Sequence, residues 1–122
     1  MNDYIDVIKK TMVLSDSLND GLEYIKERIV LKEYEEVDDM IKDTILATKT
    51  IYKALNPVFL EIKDVELKNN MEKLLKNLIS LEDKIEAGDV NAVCKTIDKK
   101  VVPTYDLWKE KLDCKLKKYT YC

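Results

Sequence analysis

Four acidic residues have types and spacing that suit a divalent cation. Glu33-x-x-Glu36 is followed, after 24 intervening residues, by Glu61-x-x-Asp64. Carboxylates at i and i+3 share one face of a helix. Two such pairs facing each other would offer hard oxygen ligands to Mg2+. The rest of the inventory is poor in catalytic groups. The chain contains no histidine, which removes the usual general base and the commonest transition-metal ligand. Cys94, Cys114 and Cys122 form no C-x-x-C pair. An odd count with no secretory signal pattern reads as reduced thiols, and Cys94, lying between core positions, reads as a small buried apolar group.

The bland reading of the acids is a solvated face. Eleven glutamates in 122 residues bring about one E-x-x-E spacing by chance. The four acids do resemble the metal motif of all-α nucleoside triphosphate pyrophosphohydrolases of the MazG and dUTPase type. That resemblance implies a helical bundle hydrolysing nucleotides with Mg2+ on Glu33, Glu36, Glu61 and Asp64. It stands as the second reading of function. Two aromatics, Tyr105 and Trp108, flank a bend expected at Pro103. Aromatics beside a helix irregularity can form a partner pocket, or they can be core. The tail residues Lys115, Lys117, Lys118, Tyr119 and Tyr121 read as a helix end whose cations complement the dipole.

Any such site must be positioned by helices. Only 2 Gly and 2 Pro occur, with 37% charged and 46% hydrophobic residues, the profile of long amphipathic helices in one domain. Ile8, Thr11, Ser15, Leu18, Leu22, Ile25 and Ile29 alternate steps of three and four, one stripe on a first helix. Gly21 interrupts it, either as a close helix contact or as a tolerated glycine. Acids crowd Glu33 to Asp39, as the N-terminus of a new helix prefers. This puts a turn at Leu31 to Glu33; one helix running on to residue 55 is the alternative. Tyr34, Val37, Ile41, Thr44, Thr48, Ile51 and Leu55 carry the second stripe.

Asn56-Pro57 then reads as a boundary, with Asn56 as N-cap and Pro57 at the first helical position. A later start near Asp64 is the alternative. Leu60, Leu67, Met71, Leu74, Leu78, Leu81 and Ile85 make the third stripe. Ala87-Gly88-Asp89 supplies a helix stop and a fresh N-cap. Val90, Val93, Ile97, Val101, Trp108, Leu112 and Tyr119 carry the fourth, which Pro103 should kink or split. Stripes in the two halves match at an offset of 56 positions. That offset suits either a duplicated hairpin or two ordinary heptad patterns, since 56 is eight heptads. Four stripes and short turns predict an all-α, antiparallel four-helix bundle made of two hairpins. Thr11, Ser15, Thr44 and Thr48, polar members of the stripes, either bond a carbonyl one turn back or line a groove.

The bulk charge narrows the partners. A net charge of −3 and a pI near 5.1 argue against nucleic acid, which is held mainly by Lys and Arg. No apolar run is long enough to span a membrane. No cofactor is expected, and the cytoplasm is the expected compartment. The layout, with Glu86-Ala87-Gly88-Asp89 leading to Val102-Pro103-Thr104-Tyr105-Asp106-Leu107-Trp108, is similar to small bacterial all-helical bundle proteins. By size, charge and helical layout it looks, more distantly, like flagellar export chaperones. That resemblance implies an amphipathic helix of a client laid in a groove. The first expectation is therefore a non-catalytic protein-interaction module, partnered by another chain or by a second copy of itself.

Overall fold

Apolar stripes at helical spacing can be buried only against one another, and the chain does this with four rods. The computed structural model describes residues 2–62 and 65–120, with side chains for 6–60 and 65–114. Helix α1 spans Asn2–Val30, α2 Tyr34–Ile62 and α3 Val65–Glu86. The fourth rod is continuous but composite: α4 (Val90–Thr96), a π-helical turn (Ile97–Val101) and α5 (Val102–Thr120). No strand occurs among the described residues.

Each rod packs on its neighbours in the chain, and the fourth closes back onto the first. Cross-contacts show the directions. Tyr105 and Lys109 on α5 meet Ser15 and Asp16 on α1, while Asp98 meets Lys26. Numbers rise on one rod as they fall on the other, so the pair is antiparallel. Tyr52 with Glu72, and Asn77 with Thr104, give the same sense for α2 with α3 and for α3 with the fourth rod. One continuous core results, running from Ile8 through Ile41 and Leu74 to Leu112.

The turn between α1 and α2 lies at Leu31–Lys32, so a single helix through it is excluded. It is built without glycine. Lys32 takes φ 59°. Its N–H reaches the Ile29 carbonyl at 3.0 Å, and the Glu33 N–H reaches the Arg28 carbonyl at 3.1 Å. This is a Schellman closure with lysine in the left-handed position. The Arg28 guanidinium clamps it, bonding Glu33 Oε2 at 3.1 Å and lying 5.2 Å from the Tyr24 ring centroid. The turn after α3 uses glycine as the sequence predicts. Gly88 has φ 71°, and Asp89 accepts from the Ala92 N–H at 3.0 Å as N-cap.

Asn56-Pro57 does not divide the chain. Helix α2 runs through it to Ile62. Pro57 and Lys53, one turn before it, are both exposed, so the carbonyl that loses its N–H partner is on the water side. The apolar pattern also continues: Val58 and Phe59 are buried at 2% and 4% exposure, whereas Leu60, expected in the third stripe, is 72% exposed. The alternative boundary at Asp64 falls outside the described residues.

Pro103 does not split the fourth rod either; the irregularity comes just before it. Val93, Ile97, Val101 and Tyr105 are all buried, three successive steps of four. On a 3.6-residue helix such steps drift about 40° each. The π turn absorbs the extra residue, its Val102 N–H reaching back to the Ile97 carbonyl. The Lys100 carbonyl is taken up by the Thr104 hydroxyl and, at 3.3 Å, by the Asn77 amide.

Gly21 is a close-contact glycine. A Cβ built there would lie 3.0 Å from Thr44 Oγ1, so α1 and α2 approach closely at this level. The buried hydroxyls of Thr11, Thr44 and Thr48 each donate to the carbonyl four residues back at 2.8 Å. Ser15 donates to Met12 at 2.7 Å. They satisfy themselves locally.

Candidate functional site

The fold separates the acids of the pyrophosphohydrolase-like motif. Glu33 and Glu36 stand at the start of α2, while Glu61 lies in its last turn. Glu36 and Glu61 are 25 positions apart on one helix, about 37 Å. They therefore share no ion. Asp64 lies outside the described residues, as does the Glu61 side chain. Glu33 is occupied by Arg28 as the clamp of the first turn, and Glu36 is exposed. The facing arrangement needs a helix boundary at Pro57, and α2 runs through that position.

Tyr105 and Trp108 come together, with ring centroids 6.1 Å apart, but inside the core. Trp108 is 0% exposed and Tyr105 4%. The expected partner pocket is corrected to a packing role, because the π turn rotates both rings inward. Tyr105 donates to the Ser15 carbonyl at 2.7 Å. Burial raises its phenol above the ordinary value. Cys94 is half-buried and Cys114 exposed, both free thiols; Cys122 and the side chains of the basic tail lie outside the described residues.

A site that the sequence reading missed lies between α3 and the fourth rod. A groove of about 470 Å³ opens beside the π turn, with Lys73 on α3 and Lys99 and Lys100 on the turn along it. None of these lysines forms an ion pair among the described residues, whereas Lys26, Arg28, Lys42, Lys109 and Lys111 each do. Pro103 and Leu107 supply an apolar side, and Asn70 and Asn77 an amide side. Asn77 is committed, giving its amide to Thr104 Oγ1 at 2.8 Å. Asn70 is not: its Nδ2 is shut off from solvent and has no acceptor. No acidic residue lines this groove. The signal was present as Asn70, Lys73 and Asn77 on one flank of the α3 stripe, but it needs the π turn opposite to become a site.

A family model described as a domain of unknown function, DUF8042, matches residues 6–111. The chain belongs to the DUF8042 family. The matched segment takes in the turns at Leu31–Lys32 and at Gly88, the π turn and the lysine groove. No curated protein matches the chain, and no solved structure does.

The DUF8042 bundle has a second surface of note, at the end bearing the turns at Leu31–Lys32 and Gly88. Val30, Leu31 and Tyr34 are 62%, 58% and 40% exposed around the first turn. Beside them a shallow depression runs from Tyr34 to Ile85 and Gly88. Among the described residues no three Cys, Asp or Glu side chains stand close enough to hold a metal ion. No described helix is long and apolar enough to cross a membrane.

Proposed function

We propose that this protein works by contact with another protein, as a cytoplasmic adaptor or chaperone for a helical client. The observation supporting the reading is the apolar end. Turns between helices face water and are normally polar, yet this one presents Val30, Leu31 and Tyr34 together. Large apolar side chains clustered at a surface mark interaction sites. The depression between Tyr34 and Ile85 offers a place for one or two side chains of a client helix, the helix-in-groove mode. A net charge of −3 disfavours nucleic acid as the partner. Free Cys94 and Cys114 suit a reducing compartment.

The test is capture from native extract with the wild-type chain and with Leu31→Asp, alongside the mass of each in solution. A stoichiometric protein recovered by the wild type and lost with Leu31→Asp supports the reading. A wild-type homodimer broken by the same substitution replaces the client with a second copy. A monomer that recovers nothing ends the proposal.

A further inference from the structure

We propose that the groove between α3 and the π turn binds a small phosphate-bearing ligand. The groove is separate from the apolar end, and the proposal stands without that reading. Its lining is one-sided in charge. Lys73, Lys99 and Lys100 bring ammonium donors to one opening with no carboxylate among the lining residues, in a chain whose overall charge is negative. Asn70 also lines the groove, but its amide nitrogen is shut off from solvent, so the lysines are the donors a ligand reaches. An oxyanion is the partner that satisfies the three ammonium groups together.

The backbone explains why the donors converge. The π turn puts Lys99 and Lys100 on successive positions beside α3, and π turns are frequently found at functional sites. The Asn77 amide and the Thr104 hydroxyl fix this turn by holding the Lys100 carbonyl. The lysines therefore project from a braced segment. At about 470 Å³ the space is of small-ligand size. Pro103 and Leu107 would lie against the non-phosphate part of the molecule.

The experiment is a titration of the 15N-labelled full chain with inorganic pyrophosphate at about 0.15 M salt, read by two-dimensional NMR. Saturable shifts are expected at the backbone amides of Lys73, Lys99, Lys100 and Thr104. Lys73→Gln with Lys99→Gln should weaken binding about tenfold. Lys9→Gln with Lys10→Gln, on exposed α1 positions, should bind within about twofold of wild type. All variants are altered outside the core, and the same spectra report their folding. No saturable shift, shifts spread over every lysine, or equal weakening in both double variants would overturn the site.

Discussion

The Tyr105 hydroxyl donates to the Ser15 carbonyl at 2.7 Å, across 90 positions of sequence. This bond fixes the register of the last rod against the first, and it does so from within the core. Tyr105→Phe removes the donor and leaves a buried carbonyl oxygen short of one partner. A loss of about 1 kcal/mol is expected in denaturant titration at neutral pH.

The same residue sets a pH dependence. Burial holds the Tyr105 phenol above its ordinary 10.0. The hydrogen bond to Glu72 raises Tyr52 as well. In the unfolded chain these phenols ionise from about pH 10. The folded chain keeps the protons longer, so in that window it binds more protons than the unfolded one, and stability falls as pH rises. Urea midpoints should hold steady up to about pH 9 and drop beyond about pH 10. The drop should be shallower in Tyr105→Phe, and an identical slope in both would remove Tyr105 as its source.

Trp108 is the single tryptophan and is fully buried, while its indole N–H has no acceptor among the described residues. Trp108→Ala should cost about 3–5 kcal/mol through the cavity left behind. Trp108→Phe loses volume but no hydrogen bond, and should cost less than about 2 kcal/mol. Calorimetry of both variants tests the ordering.

At Gly21 the close approach of α1 and α2 sets up a coupled pair. The Cβ of Gly21→Ala meets Thr44 Oγ1 at 3.0 Å, and that oxygen is tied to the Met40 carbonyl. Overpacking should cost about 1 kcal/mol or more. In a Thr44→Ala background the clash is gone, and Gly21→Ala should instead gain up to about 1 kcal/mol of helix propensity. A double-mutant cycle reads this sign change directly.

Lys32 holds a left-handed conformation at φ 59°, which costs a residue bearing a Cβ about 1 kcal/mol. Lys32→Gly should raise stability by about 0.5–1 kcal/mol. An unchanged or lowered melting temperature would mean that the lysine side chain contributes more than its backbone costs.

The stripes were legible because burial of an amphipathic helix depends on spacing alone. Ile25, Ile41, Leu74 and Val93, all read from spacing, are each at 0–1% exposure. The first turn was legible from its acids even without glycine, although the Arg28–Glu33 clamp that holds it was not. Asn56-Pro57 carries a local cap signal that is overridden by the stripe passing through it. Ile51, Leu55 and Val58 keep the three–four rhythm across the proline and are buried. That misplaced boundary also put Glu36 and Glu61 on facing helices when one helix carries both. The lysine groove was out of reach, since Lys73 and Lys99 become neighbours only through the packing of two rods, and the turn that presents Lys99 is non-standard.

The π turn at Ile97–Val101 amounts to one amino acid more than a regular spiral needs. Removing a single lysine from it would let the backbone relax into uniform winding, with the aromatic pair still directed inward. The core spacing would then be that of an ordinary amphipathic helix, so the surplus residue changes which side chains the outer face of this rod presents, Lys99 and Lys100 among them.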